Sequence, residues 1–253
     1  MADRLTETEL TRFHEDGFVV VRGLADAHRC AALLAVAREH LARDLPPVEY
    51  EAQLHYPGAP ASLEAPGGRT VRRLLQACAR DALFREWATS PPVANRLHQL
   101  LGEQILLSQA HHNCVMTKQP RYSSLTGWHQ DIRYWSFQRP ELISVWLALG
   151  RETPDNGCLS FIPGTHRMAF DATRLDADLF LRVDLAENQA LIARRQTPEL
   201  EPGDGVFFHS RTFHAAAANR SDATKFSLVF TYRAADNPPL PGTRSSSLPE
   251  IAL

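Results

Sequence analysis

The chain has 253 residues, of which 27 are lysine or arginine and 29 are aspartate or glutamate, giving a formal net charge of −2 at pH 7. Only two of the cations, Lys118 and Lys225, are lysines. This near-neutral balance without a basic run excludes a general nucleic-acid binder and a protein held on membrane surfaces by charge. No apolar run approaches the roughly 20 residues of a membrane helix, and the amino-terminal segment has no apolar signal core. We therefore expect a cytoplasmic protein.

The first hundred residues predict mainly helix. Apolar spacing and capping residues predict helices from Thr6 to Gly17 and over 27–41, 81–89 and 93–101. The β-branched run at 18–21 predicts a strand between the first two helices. Residues 45–68 contain five prolines and predict a long loop, and loops of that length are usually functional or mobile.

From Ile105 the pattern changes to short strand-like runs separated by turn residues. The predicted strands cover 105–117, 128–135, 143–149, 158–162, 206–209 and 226–233. Many short strands at these intervals favour a sandwich or jelly roll over a doubly wound α/β sheet. The simplest interpretation is one mainly β domain over 1–253. It would have a mainly helical cover (1–104), a β core (105–235) and a C-terminal tail (236–253).

His129 and Asp131 are the first candidates for chemistry. On a strand, residues i and i+2 point to the same side and lie about 7 Å apart, so these two could bind one metal ion as adjacent ligands. The third ligand must come from a distant strand, and His166, His209 and His214 are available. Two histidines and a carboxylate form the facial triad of non-haem iron(II) oxygenases. A His-x-Asp pair alone is a weak motif.

The order of several segments adds specificity. These segments are Leu5 to Leu24, Trp128 to Asp131, Asn156 to His166, Gly203 to His214 and Asn219 to Ser221. Together they resemble the phytanoyl-CoA dioxygenase family of Fe(II)/2-oxoglutarate oxygenases. The resemblance implies a mainly β protein with α elements: a double-stranded β-helix, or cupin-like jelly roll, with N-terminal helices packed on it and iron at its mouth.

The resemblance also implies that the distal metal ligand is His214 rather than His209. Their odd separation would place them on opposite sides of an uninterrupted strand. His209 is then a packed or supporting residue, and His166 is expected to hydrogen-bond the loop after its Pro-Gly turn. The implied metal ligands are His129, Asp131 and His214.

The resemblance further implies a site for 2-oxoglutarate. The family places an arginine eleven residues after the distal histidine and a serine two residues after it, where this chain has Lys225 and Ala216. Lysine lacks the bidentate fork of arginine. A lysine at this position in an arginine-rich chain nevertheless predicts a retained cation for the distal carboxylate, with Arg220 or Arg233 as the alternative donor.

Three further cosubstrate contacts carry over from the family. They are Trp146, Cys114 and Arg73, for which ordinary packing or a solvated helix face is the alternative interpretation. Lys118 lies in a loop between two strands of the catalytic face, and we expect it either to gate the mouth or to be solvated.

Candidate substrate contacts lie around the proposed metal site. They are His112, Arg133 and Tyr134. Strand alternation would turn residue 133 towards the ligands and residue 134 away, unless a bulge intervenes. The segments 45–68 and 168–197 are the expected lids that set specificity.

The implied reaction is a dioxygenation in which O2 converts 2-oxoglutarate to succinate and CO2 while a small molecule is oxidised. Halogenating relatives have a small residue in place of the carboxylate, so Asp131 predicts hydroxylation, or another oxidation of an unactivated C–H bond, rather than halogenation. Two alternatives remain: a non-catalytic cupin-like metal-binding or ligand-sensing protein, and a zinc hydrolase that uses the same triad. The expected partner is a small metabolite, with no nucleic acid or membrane. The sequence indicates neither which metabolite nor an oligomeric state.

Overall fold

A computed structural model describes residues 3–54 and 56–253. Its helices are α1 (Glu7–Asp16), α2 (Ala27–Ala42), α3 (Ala77–Arg80), α4 (Ala82–Ala88), α5 (Pro91–Leu101) and α6 (Ala186–Ile192). Its strands are β1 (Phe18–Val21), β2 (Val48–Tyr50), β3 (Val71–Leu75), β4 (Ile105–Lys118), β5 (Thr126–His129), β6 (Leu142–Ala148), β7 (Leu159–Phe161), β8 (Gly205–His209), β9 (His214–Ala216), β10 (Lys225–Ala234) and β11 (Ile251–Ala252). Within the described residues, none of the helices has the length and apolar character that crossing a bilayer requires.

The N-terminal helices begin and end close to the predicted residues. Thr6 and Glu9 form a capping box at the start of α1, in which Thr6 Oγ1 accepts from the Glu9 N–H at 3.2 Å. Gly17 ends this helix with a φ of 82°, a left-handed conformation that glycine adopts without a Cβ penalty. Asp26 caps α2 in the same way as Thr6 caps α1, by accepting from the Arg29 N–H.

The larger sheet is the main layer of the fold. Its strands follow the order β1-β8-β6-β10-β4-β3-β2, with β11 beside β4, and the paired strands are antiparallel. Alternate residues of these strands, such as Phe207 and Leu228, pack under the helices with Leu33, Phe84 and Leu97. Burying each of these large side chains contributes about 1.5–3 kcal/mol. The helices therefore cover the outer face of this sheet.

A smaller sheet with the order β5-β9-β7 covers the inner face. The remaining alternate residues of the larger sheet, including Trp146, Phe208 and Val229, share a second apolar core with Leu159 and Phe161 of β7. Two antiparallel sheets packed on one core form the jelly roll that the sequence resemblance implied.

The first hundred residues contain two strands that were not predicted. Besides the predicted β1, the strands β2 and β3 from that region also belong to the larger sheet. β2 lies inside the predicted loop 45–68, of which residue 55 is outside the described residues. The pair Arg72-Arg73 obscured the alternation of β3, while β2, β9 and β11 are too short to show a period.

A second difference lies at 128–135, where one strand was predicted. β5 ends at His129, and Asp131–Tyr134 form a turn of 3-10 helix. The expectation that His129 and Asp131 share one face of a continuous strand was therefore wrong, although the turn still brings them together.

Candidate metal centre and cosubstrate cavity

Two histidines face each other across the smaller sheet. His129 ends β5, His214 begins β9, and their Cα atoms are direct partners in the antiparallel register. Their ring centroids lie 4.2 Å apart. Asp131 Oδ1 is 3.6 Å from His129 Nε2 and 3.7 Å from His214 Nε2. One donor atom from each of the three residues thus falls within 4.8 Å of the others, which is the size of a metal site.

Local hydrogen bonds orient both imidazoles. His129 Nδ1 lies 2.9 Å from the Gly127 carbonyl, and His214 Nδ1 lies 3.1 Å from the Thr212 carbonyl. A carbonyl oxygen only accepts, so each Nδ1 carries the proton and donates it. The lone pair of each Nε2 is then available towards Asp131, as in most histidines that bind metals.

Asp131 is buried and its Oδ2 has no hydrogen-bond partner among the described residues. Burial alone would raise the pKa of this carboxyl, but the facing imidazoles of His112, His214 and His129 hold its pKa well below the usual value. Burial lowers the pKa of His214 to about 4, so this imidazole is neutral at pH 7. An ionised carboxylate with an unsatisfied oxygen beside imidazole nitrogens fits a divalent cation without releasing protons, and two histidines with one carboxylate fit iron(II).

The end of α1 supports the segment that precedes His214. The Gly17 carbonyl accepts from Thr212 Oγ1 at 2.9 Å and from the His209 N–H at 2.8 Å. A Cβ added at Gly17 would lie 2.4 Å from Thr212 Oγ1 and from His166 Nδ1, so glycine is needed here for space as well as for its positive φ. His166 and His209 form a separate ring pair with centroids 5.5 Å apart.

A cavity between the two sheets begins at His129 and His214 and extends to both lysines. Its described walls are formed by Arg72, Arg73, His112, Met116, Thr117, Lys118, Thr126, His129, Trp146, Leu159, Phe208, His214, Ala215, Ala216 and Lys225. Three residues predicted from the family, Arg73, Trp146 and Lys225, are among them. Cys114 is not: its Sγ lies 3.6 Å from Met116 Sδ, and Met116 reaches the cavity instead.

Lys225 is already paired within the protein. Its Nζ lies 3.0 Å from Glu152 Oε2, and both side chains are buried. Glu152 Oε1 accepts from Trp146 Nε1 at 2.9 Å and from Ser227 Oγ at 2.6 Å. Neither Glu152 nor Ser227 was predicted from the sequence, because a single glutamate in the loop after β6 carries no motif. The i, i+2 spacing of Lys225 and Ser227 at the start of the last long strand was the available signal.

Lys118 is buried and lies on a strand, so the expectation of a solvated loop lysine was wrong. It is 6% exposed, and its Cα is the direct partner of Lys225 in the β4–β10 pairing. Its Nζ donates to the Ser124 carbonyl at 2.9 Å. Lys118 is the last residue of the long strand β4, and its side chain lines the cavity.

The two alternative anchors lie elsewhere. Arg220 is exposed. Arg233 is eight residues beyond Lys225 on β10, about 26 Å along the strand, where it pairs with Glu250. Neither arginine is among the described residues of the cavity wall.

The side chains of the predicted substrate contacts Arg133 and Tyr134 are oriented differently from what strand alternation predicted. Because 131–134 is a turn and not a strand, Tyr134 faces His129, with ring centroids 6.3 Å apart. Arg133 instead donates through Nε to Gln130 Oε1 at 2.9 Å. His112 Nδ1 lies 3.3 Å from Ser144 Oγ. The same nitrogen is 3.6 Å from the free oxygen of Asp131.

Both segments expected to act as lids border the cluster. Phe180, from 168–197, stands edge-on to His129 at 5.9 Å and meets Tyr56, from 45–68, at 5.4 Å. Tyr134 Oη donates to the Asp178 carbonyl at 2.5 Å. Tyr56, Tyr134 and residues 176–180 line a cleft of about 500 Å³ on this side.

The sequence model described as phytanoyl-CoA dioxygenase (PhyH) matches residues 13–227. The chain belongs to this family. A probable phytanoyl-CoA dioxygenase from Caenorhabditis elegans is 27% identical over 179 residues, which cover 68% of this chain and 57% of that protein. The ectoine dioxygenase of Bordetella bronchiseptica is 24% identical over 255 residues, which cover 93% of this chain and 78% of that enzyme.

Solved structures agree with this assignment. The epimerase SnoN, crystallised with Fe3+, alpha ketoglutarate and nogalamycin RO, has a TM-score of 0.75 and 25% identity over 96% of this chain and 90% of its own. EctD from S. alaskensis, crystallised with 2-oxoglutarate and 5-hydroxyectoine, has a TM-score of 0.77 and 20% identity over 93% of this chain and 78% of its own. These comparisons confirm the predicted family and jelly roll. The family is one of iron- and 2-oxoglutarate-dependent oxygenases.

Proposed function

We propose that this protein is an Fe(II)/2-oxoglutarate-dependent dioxygenase that hydroxylates an unactivated C–H bond of a small metabolite. The observation that carries the proposal is the His129–Asp131–His214 cluster, whose donor atoms are free and whose histidines also line a cavity rich in cations. A metal with open positions beside a buried positive wall suits a chelating dianion such as 2-oxoglutarate.

The three residues would hold iron(II), and the metal with 2-oxoglutarate and O2 would supply the oxidising chemistry when bound. The chain's own contribution is to keep both Nε2 atoms unprotonated and Asp131 ionised. The carboxylate also supports hydroxylation over halogenation, because it fills the position that halogenating relatives leave for a halide. His112, next to the second oxygen of Asp131, would hold that carboxylate in place.

The substrate would enter by the aromatic cleft on the other side of His129. Tyr56, Phe180 and Tyr134 offer flat apolar surfaces that bind a small organic molecule and exclude water. Tyr134 and Arg133 remain proposed substrate contacts, and Tyr134 has the more direct position because its ring faces His129. Contacts from both segments in front of the cluster support their role as lids.

The first experiment tests cosubstrate binding without turnover. Fe(II) and 2-oxoglutarate are added to the purified protein without oxygen, and the weak visible charge-transfer band of the chelate is recorded. We expect the band in the wild type and its loss in Asp131→Ala. An exposed aspartate such as Asp184, exchanged for alanine, serves as the matched control. Folded, iron-loaded protein without the band would contradict the proposal and favour a non-catalytic metal-binding or sensing protein.

The second experiment identifies the outcome of the reaction. Succinate release is measured across a panel of metabolites, and the product of each active compound is analysed by mass spectrometry. Hydroxylation adds one oxygen atom. The structurally similar SnoN and SnoK are described as an epimerase and a carbocyclase; epimerisation leaves the mass unchanged and ring closure removes two hydrogens. Turnover that needs zinc but no 2-oxoglutarate would indicate the hydrolase alternative.

A further inference from the structure

The cavity wall contains more positive charge than the protein neutralises. Four cationic side chains line it: Arg72, Arg73, Lys118 and Lys225. Three have a carboxylate partner, because Arg72 pairs with Glu51 at 3.4 Å, Arg73 with Glu49 at 3.3 Å and Lys225 with Glu152 at 3.0 Å. Lys118 is the fourth, and among the residues described here no carboxylate oxygen lies within 4.0 Å of its Nζ.

Lys225 is poorly placed to take a second carboxylate. Glu152 Oε2 already forms an ion pair with its ammonium group. The ring centroid of Trp146 lies 4.9 Å from the same Nζ. A ligand carboxylate beside Lys225 would also meet the negative charge of Glu152 in a buried setting where like charges repel strongly. The Trp146 and Ser227 hydrogen bonds hold Glu152 in place, so it cannot turn away without losing them.

Lys118 has the opposite properties. Within residues 3–54 and 56–253, only one of its three ammonium hydrogens is used, in the bond to the Ser124 carbonyl. Glu51 lies near but is engaged by Arg72 and by Ser124, whose hydroxyl donates to it at 2.6 Å. A buried cation without a counter-ion is costly, and a bound anion would remove that cost.

The position of Lys118 also matches a ligand that reaches from the metal. A Cβ added at Gly157 would lie 2.9 Å from Lys118 Cδ and 2.3 Å from the Ala217 carbonyl, so the lysine stem passes beside residue 217. Residue 217 is three positions after His214, about 10 Å along the chain. Lys118 and His214 line the same cavity, and a span of this order is one that a five-carbon dicarboxylate can bridge.

We propose that Lys118, and not the family-position Lys225, is the cation that binds the distal carboxylate of 2-oxoglutarate, while Lys225 and Glu152 form a neutral structural pair behind it. This inference rests on the proposed function. The charges then balance: Asp131 and the chelating carboxylate offset the iron(II), and Lys118 offsets the distal carboxylate.

The ionisation of Lys118 gives this assignment a second signature. Burial lowers the pKa of Lys118 to about 7, with Arg72 on β3 and Lys225 on β10 lowering it further and Glu51, in the 3-10 turn after β2, opposing them. A bound carboxylate favours the protonated amine. Binding at pH 8 should therefore take up about one proton, and binding at pH 6 almost none.

The test measures binding to Zn(II)-loaded protein, which does not turn over. Two ligands are titrated: 2-oxoglutarate, and 2-oxopentanoate, in which a methyl group replaces the distal carboxylate. We expect wild type to prefer 2-oxoglutarate by about 10- to 100-fold, the value of one charge-assisted contact. Lys118→Met should abolish this preference by weakening 2-oxoglutarate alone. The double variant Lys225→Met/Glu152→Gln should retain most of it, and the exposed Arg43→Met is the remote control.

The outcomes separate the two proposals. Binding of neither oxo acid to zinc-loaded wild type would refute the proposed function itself. Equal binding of both, or a preference that survives in Lys118→Met and disappears in the double variant, would overturn only the Lys118 assignment. Should Lys118→Met fail to fold or to bind zinc, calorimetry of wild type in buffers of different ionisation enthalpy decides: absence of proton uptake at pH 8 overturns the assignment.

Discussion

Replacing Glu152 should destabilise the protein far more than its position in a loop suggests. The side chain is fully buried and receives hydrogen bonds from Trp146 and Ser227 besides its ion pair with Lys225. Glu152→Ala leaves the ammonium buried without a counter-charge, which typically costs about 3–5 kcal/mol. The amine can instead lose its proton, which for an ordinary lysine at pH 7 costs about 4.6 kcal/mol at most. We therefore expect a loss of about 4 kcal/mol in the free energy of unfolding.

The measurement is urea denaturation at pH 7, supported by thermal melting. At about 2–4 °C per kcal/mol for a chain of this size, the melting temperature should fall by roughly 8–16 °C. The control is Asp184→Asn, which breaks the exposed 2.7 Å pair with Arg182 and should cost less than about 1 kcal/mol. Asp184 is 63% exposed, whereas Glu152 is fully buried.

A double variant identifies the source of the loss. Glu152→Gln alone keeps the shape and some hydrogen bonding but removes the counter-charge, so most of the destabilisation should remain. Adding Lys225→Met removes the stranded charge and should recover at least half of it. If the double variant is as unstable as the single one, or if Glu152→Ala costs no more than the surface control, the buried pair does not have the role assigned to it.

Three further outcomes are expected. Asp131→Ala should lower iron affinity by about 100-fold or more and abolish succinate release, as measured by metal content after dialysis and by product assay; unchanged metal content would exclude Asp131 as a ligand. Burial lowers the pKa of His209 to about 3, so the unfolded state takes up a proton below about pH 6.5 that the folded state does not. The free energy of unfolding should then fall with decreasing pH by up to about 1.4 kcal/mol per pH unit from this group. The variant His209→Asn should reduce that slope between pH 6 and 5, and its amide oxygen can still accept from the Arg211 N–H in place of Nδ1. Gly157→Ala should lower the melting temperature and weaken 2-oxoglutarate binding because its Cβ would meet a backbone oxygen at 2.3 Å. The control Gly23→Ala, also at positive φ but with open space around it, should cost only about 1–2 kcal/mol. Equal losses of stability in the two variants would exclude the steric explanation.

The sequence was sufficient for the layers of the fold and for the grouping of His129, Asp131 and His214. Capping residues such as Thr6 and Asp26 marked helix starts that the structure reproduces, and the spaced apolar runs marked most of the long strands. His129, Asp131 and His214 came from the family resemblance, and the structure brings their donor atoms together. These features depend on local chemistry or on the order of motifs along the chain, which a sequence displays directly.

The cavity wall was harder to predict because its partners are close only in three dimensions. The pair of Lys225 with Glu152 joins residues 73 positions apart, through a loop that has no motif. Lys118 looked like a loop lysine because the strand β4 continues one residue beyond its apolar run. Strand alternation predicted that Tyr134 points away from the ligands, but Asp131–Tyr134 form a 3-10 turn in which alternation does not apply. Register, turn geometry and charge pairing across strands decide all three.

The contact between Gly17 and Thr212 has a consequence for the order in which the protein matures. It joins positions 195 residues apart, and the Thr212 carbonyl in turn fixes the His214 ring. During synthesis most of the chain must therefore be made before the first helix can help to orient His214, the last of the three proposed ligands. Such a long-range contact is of the kind that forms slowly during folding. A fragment that starts after Gly17 would retain all three ligand side chains but lose the partner of the Thr212 hydroxyl. We expect such a truncated chain to bind iron weakly. In the full chain, we expect iron to bind late, after the first-synthesised segment up to Gly17 has docked.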